Sequence, residues 1–217
     1  MSYRAVLFDL DGTLLDTLED LGDSMNAVLA ARGYPTHPIR SFAVFVGDGV
    51  ENLVRRSLPP GVREDETVVQ QLVPLMRGEY AGRWKLKTRP YPGVSDLLRA
   101  LSSRGLRLAV LSNKPHSATV EVVAHFFPAG TFEAVLGARP GVPIKPDAGA
   151  AREVSRQLGV PSGAFLYLGD TDTDMKTATE AGMFAVGALW GFRTAGELRA
   201  SGARALIERP EELLSLL

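Results

Sequence analysis

The chain has 217 residues, 45% of them hydrophobic and 23% charged, which suits one large core, or one core plus a small inserted module, and argues against extended disorder. A net charge of −1 gives no general attraction to nucleic acid or to an anionic membrane, so neither is expected as a partner. The absence of cysteine excludes disulfides, thiolate metal sites and a cysteine nucleophile, so any metal must be held by oxygen or histidine. The opening residues, MSYRAV, lack a charged leader followed by an apolar segment and cleavage site, and no apolar run approaches ~18 residues. The expectation is a cytoplasmic monomer or homodimer.

In chain order, residues 4–8 read as a short strand buried on both faces, because AVLF is a continuous apolar run. Asp9, Asp11, Gly12 and Thr13 follow it. Leu18, Leu21, Met25, Val28 and Leu29 recur at helical spacing and predict a helix over 17–32, stopped by Gly33. Residues 38–86 continue as helical segments over 39–46, over 50–58 after the Gly47-Asp48-Gly49 turn, and over 64–86 with a break at Pro74. Residues 89–93, RPYPG, read as a stiff linker. From Val94 the pattern alternates. Helices are predicted over 94–104, 117–126, 147–158 and 174–181, and strands over 106–111, 132–136, 164–168 and 184–189. A helix at 195–200, a strand at 203–207 and a terminal helix at 210–216 complete the reading. The fold class is α/β, a Rossmann-like core with a parallel sheet over 1–16 and 90–217, interrupted by an all-helical domain over 17–89.

Ligands of open parallel sheets bind beyond the carboxyl ends of the strands. The polar clusters fall there: Asp9 and Asp11 after the first strand, Ser112-Asn113-Lys114 after 106–111, and Asp170 to Asp174 after 164–168. Lys145 precedes the helix at 147. In extended chain, residues i and i+2 project to one side, so Asp9 and Asp11 would face one pocket, where two like charges are costly unless a cation or shared proton separates them. Each piece alone has a plainer reading. Asp-Gly makes turns, Ser-Asn caps helices, and a lysine before proline is commonly solvated. Together, a carboxylate nucleophile, a neighbouring acid/base, a hydroxyl, an ammonium and a carboxylate metal ligand suit phosphoryl transfer with magnesium.

The ordered set DLDGT at 9–13, Ser112, Lys145 and Asp170 with Asp174 in GDTDTD resembles the four motifs of the haloacid dehalogenase superfamily phosphatases. The resemblance implies Asp9 as nucleophile, Asp11 as acid/base, and Ser112 and Lys145 as phosphate ligands. It also implies magnesium held by Asp9, Asp170 and the Asp11 carbonyl, with Asp174 as support and Thr13 orienting Asp11. The helical insert stands where that superfamily places its C1 cap. FDLDGTLLDT, VGDGVENLVRRSL, YPGV, LAVLSNKP and ALWGF are most similar to phosphoglycolate phosphatases, which implies a small phosphate ester as substrate, with Thr13, Ser112, Asn113 and Arg56 as substrate-binding residues. KPDAG departs from the commoner KPxP, and Asp48 places a carboxylate in the insert where the family often has a neutral residue. A phosphomutase, another sugar-phosphate or pyrophosphate phosphatase, and a non-catalytic binder on the same fold are the alternatives. His37, His116 and His125 have no metal-site spacing, Trp84 and Trp190 read as packing residues, and Lys114 is expected to point to solvent.

Overall fold

The computed structural model describes residues 3–217. Its elements follow from local sequence. Ala5–Phe8 form β1, all four residues buried, as a central parallel strand requires. Leu15–Asp16 form the short strand β2, and Leu18–Ala31 the helix α1. Ile39–Val44 is a 3₁₀ turn rather than the longer helix expected at 39–46, and Gly49–Ser57 is α2. Glu66–Arg83 is α3, capped by the Asp65 side chain on the main-chain N–H groups of Thr67 and Val68. The expected break at Pro74 does not occur: α3 runs through it. Proline deletes one helical hydrogen bond, but Val69, Leu72, Val73 and Met76 bury a common face across that point and hold the helix together.

Arg89–Pro90, expected as linker, form β3 and pair with β2 in a two-stranded ribbon. Then come α4 (Val94–Ser103), β4 (Arg107–Pro115), α5 (His116–Phe126), β5 (Ala134–Ala138), α6 (Gly149–Gln157), β6 (Phe165–Gly169), α7 (Asp172–Ala181), β7 (Phe184–Ala188), α8 (Ala195–Ala200) and β8 (Ala205–Ile207). The last segment, Pro210–Leu216, is 3₁₀ where an ordinary helix was expected. β4 runs four residues beyond its expected end, so Ser112, Asn113 and Lys114 belong to its irregular last stretch, where the pairing with β5 shifts register.

The main sheet is parallel in the order β5-β4-β1-β6-β7-β8. Successive strands step outward from β1 on one side and then restart on its other side at β6. The switch in direction therefore lies beside β1, the place where doubly wound sheets bind ligands. Ala5, Leu7, Ala109, Leu111, Phe165 and Tyr167 of the central strands share one buried cluster with α6 and α7 residues such as Val154, Met175 and Ala178. Burying each large side chain there contributes about 1.5–3 kcal/mol. The chain divides into two compact units, 1–15 with 90–217, and Asp16–Arg89. The first is the α/β unit with the sheet. The second is helical, with α1 and α2 packed on α3 and the 3₁₀ turn on α1.

Candidate active site

Register places the polar residues at one level of the α/β unit. Phe8 pairs with Val110 on one side and Leu168 on the other, so Asp9, Leu111 and Gly169 are the next residues along three adjacent strands. The Asp9 N–H donates to the Leu168 carbonyl at 2.9 Å, which carries the strand pairing one residue further. The chain then turns sharply, with the N–H groups of Leu14 and Leu15 both donating to Leu10 O at 3.0 Å. Gly12 makes this turn at φ +92°, and a Cβ there would overlap the Asp170 carboxylate, so two separate constraints demand glycine.

Lys145 is the centre of the charge arrangement. Its side chain is 3% exposed, and Nζ donates to Asp9 Oδ1 at 2.6 Å, Asp174 Oδ1 at 2.7 Å and the Leu111 carbonyl at 3.2 Å. These contacts use the three donors of an ammonium. Asn113 fixes the lysine from behind: Lys145 N donates to Asn113 Oδ1 at 2.9 Å, and Asn113 Nδ2 donates to Lys145 O at 3.1 Å. Asn113, expected to bind substrate, therefore holds the Lys145 main chain with its amide.

Asp174 serves two masters within α7. Its Oδ2 accepts from Thr171 N and Oγ1 as half of a capping box, and its Oδ1 accepts from Lys145 and from the Tyr167 hydroxyl at 3.3 Å. Four donors thus meet its two carboxylate oxygens in this structure. Asp170 is less committed. Thr13 Oγ1 donates to Oδ1 and the Phe192 N–H to Oδ2, each at 2.8 Å, so each oxygen keeps a lone pair. Thr13 was expected to orient Asp11; its hydroxyl is instead turned onto Asp170.

Electrostatics follow from this packing. Burial, then Asp174, pushes the Asp9 carboxyl well above the usual carboxylate range, Lys145 offsets part of that, and Asp170 adds to it. Burial and Asp174 likewise push Asp170 up to about 7. Burial disfavours the Lys145 ammonium, yet Asp174 and Asp9 outweigh it and raise its pKa. Asp9, Asp170 and Asp174 offer oxygens within 4.8 Å of one another, with Lys145 as the ammonium bound directly to two of them. Fully ionised, that group carries two uncompensated negative charges, the amount a divalent cation neutralises. The hard oxygen donors and the buried Asp11 Oδ1, which has no hydrogen-bond partner in the structure, fit such an ion.

The haloacid dehalogenase-like hydrolase family profile matches residues 6–188. The chain belongs to this family. A phosphoglycolate phosphatase of Cupriavidus necator is 33% identical over 213 residues, covering 98% of this chain and 92% of that protein. The phosphoglycolate phosphatase of Pseudomonas putida is 31% identical over 214 residues, covering 97% of this chain and 78% of that protein. The crystal structure of a Lactobacillus delbrueckii protein, assigned as a phosphoglycolate phosphatase, superposes with a TM-score of 0.93 at 32% identity, covering 100% of this chain and 98% of the other.

For a haloacid dehalogenase-like hydrolase, three features of this edge were not expected from the sequence. Lys114 does not point to solvent: its side chain is 6% exposed and Nζ lies 3.0 Å from Asp11 Oδ2. Trp190 does more than pack, since its Nε1 donates to the Thr13 carbonyl at 3.0 Å. Phe192 positions Asp170 through its N–H, and a Cβ at neighbouring Gly191 would overlap the Asp170 side chain. The loop after β7 thus clamps both the turn after β1 and Asp170. ALWGF contained the signal, but a donor on the main chain of residue 192 leaves no trace in side-chain identity. Ser112 Oγ accepts from Lys114 N at 3.2 Å and lies buried beside these groups.

In the helical unit Arg56, expected to bind substrate, is bonded to the Asp48 carboxylate and to the Phe45 carbonyl at 3.3 Å. The charge of Asp48, expected to repel an anion, is therefore offset by Arg56. His37 lies against Ser57 O at 2.8 Å and His116 accepts from Gly137 N at 3.2 Å, both in structural roles. Among the described residues no helix is long and apolar enough to cross a membrane.

Proposed function

We propose that this phosphatase hydrolyses small anionic phosphomonoesters, phosphoglycolate foremost, through an aspartyl-phosphate on Asp9 and with magnesium. The observation that carries the reading is the buried Lys145 bridging Asp9 and Asp174 beside Asp170, with Asp11 on the same turn. Lys145 grips Asp9 Oδ1, which supports Oδ2 as the oxygen that attacks phosphorus. As the Oδ2–P bond forms, the P–O ester bond breaks, and the leaving alkoxide takes a proton from Asp11. Water then attacks the aspartyl-phosphate, gives its proton to Asp11, and releases inorganic phosphate with the Asp9 carboxylate restored. Ser112 and Lys145 are assigned to the phosphoryl oxygens, where donors fixed in advance stabilise charge at little reorganisation cost.

Asp9, Asp170 and the Asp11 main-chain carbonyl would hold the magnesium. When bound, it supplies neutralisation of the carboxylates and polarisation of a phosphoryl oxygen. The helical unit is assigned the cap role. Similarity to the phosphoglycolate phosphatases named above supports glycolate phosphate as substrate. The test is inorganic phosphate release from phosphoglycolate in magnesium and in EDTA, together with rapid acid quench to trap phosphorylated protein. Label retained on Asp9 and lost in Asp9→Asn is the expected result. Equal rates in EDTA and magnesium would remove the metal, and phosphate transfer to a sugar hydroxyl instead of water would make the protein a mutase.

A further inference from the structure

The bonds made and broken at Asp9 and Asp11 involve no atom of Lys114, yet the protein buries its side chain beside Asp11. The ammonium sits 3.0 Å from Asp11 Oδ2, while Asp11 Oδ1 is buried without a hydrogen-bond partner. The Lys114 N–H also donates to Ser112 Oγ, which ties the lysine to the hydroxyl assigned to the phosphoryl group. Lys114 is thus held between the phosphoryl position and the acid/base.

This placement sets what the ammonium can meet. To be protonated, the ester oxygen must come within about 2.6–3.2 Å of the Asp11 carboxyl. Lys114 Nζ is already at that distance from the same carboxyl, so a substituent on the carbon next to the ester oxygen can approach to roughly 3–6 Å of it, where an opposite charge acts strongly. Arg56 is not so disposed, since its guanidinium is engaged by Asp48 and the Phe45 carbonyl. We propose that Lys114 determines specificity by binding an anionic group carried on the leaving-group side of the phosphomonoester. The incoming anion replaces Asp11 as counter-ion of Lys114, and Asp11 turns to the ester oxygen. The favoured substrates are esters whose alcohol bears a carboxylate or similar anion directly on the ester-bearing carbon. This inference rests on the hydrolase reading, and deepens it.

The test compares phosphoglycolate with 2-hydroxyethyl phosphate, which has the same backbone and no carboxylate, in wild type, Lys114→Met and Lys114→Arg. Asp9-dependent hydrolysis of 2-hydroxyethyl phosphate with magnesium reports the reaction itself, whatever Lys114 does. Wild type is expected to favour phosphoglycolate in kcat/KM. Lys114→Met slows both substrates, because Asp11 loses its partner, but the preference falls by about 10-fold or more, mostly through KM for phosphoglycolate. Lys114→Arg keeps the charge and most of the preference, and guards against a folding defect in the methionine variant. Equal proportional losses on both substrates would show that Lys114 acts only by positioning Asp11. A wild-type enzyme with no preference between the two esters would overturn the proposal outright.

Discussion

The two units handle charge in opposite ways. In the helical unit ion pairs lie at the surface: Arg55 with Glu51 and Glu66, Arg83 with Glu79, and Lys87 with Glu19 and Asp23. Its one deeply buried acid, Asp20, is satisfied without a cation by the Lys87 and Thr88 N–H groups and the Thr88 hydroxyl, all on the returning chain. The α/β unit instead buries Asp9, Asp170 and Asp174 together with Lys145. The first arrangement is electrically balanced and local. The second carries net negative charge when fully ionised and joins Asp9 to Lys145, 136 positions away, an arrangement that a divalent cation would neutralise. Solubility and helix geometry explain the charges of one unit; chemistry explains those of the other.

The largest expected effect separates activity from stability at the unbalanced site. Asp9→Asn should lower phosphate release at least ~1000-fold, because an amide is a poor nucleophile. It should leave the thermal midpoint unchanged or higher, because one of three crowded carboxylates is removed. A residual rate at a tenth of wild type would take the nucleophile role away from Asp9. Lys145→Met should also abolish turnover, but here folding suffers: stranding Asp9 and Asp174 without their ammonium should cost about 3–5 kcal/mol, measured by urea unfolding of metal-free protein. An unfolding midpoint equal to wild type would mean the buried carboxylates do not need Lys145.

Magnesium should raise the thermal midpoint of the wild type, by the equivalent of about 2.7 kcal/mol at a concentration one hundred times its dissociation constant. Asp170→Asn should blunt that response. The same increment in both proteins would place the ion elsewhere. The smallest effect belongs to the helical unit. Arg56→Ala breaks a partly exposed pair with Asp48 and should lower kcat/KM for phosphoglycolate less than about tenfold, with little change in circular dichroism. A larger loss confined to phosphoglycolate would return Arg56 to the role of carboxylate reader and blur the contrast between the units.

Periodicity alone was enough for the α/β alternation, the helical insert and the placement of Asp9, Ser112 and Asp170 at the carboxyl edge of a parallel sheet. These rest on local patterns: β1 is apolar at every position because both its faces are buried, and α1 shows its buried stripe in Leu21, Met25, Val28 and Leu29. Pro74 shows where such reasoning fails, since a breaker in the sequence was overruled by packing on both of its sides. Side-chain partnerships were decided by tertiary structure. Thr13 and Asp170 are 157 positions apart and Lys145 and Asp9 are 136 apart, and nothing in the identity of a threonine or lysine says which of two nearby carboxylates it will reach. Lys114 is the clearest case. As the residue after Ser-Asn it looked like a solvated charge, and only the irregular end of β4, which turns it inward beside the loop after β1, made it the partner of Asp11. Hydrophobic pattern is written residue by residue along the chain, whereas the pairing of buried charges depends on which strand ends the sheet topology brings side by side.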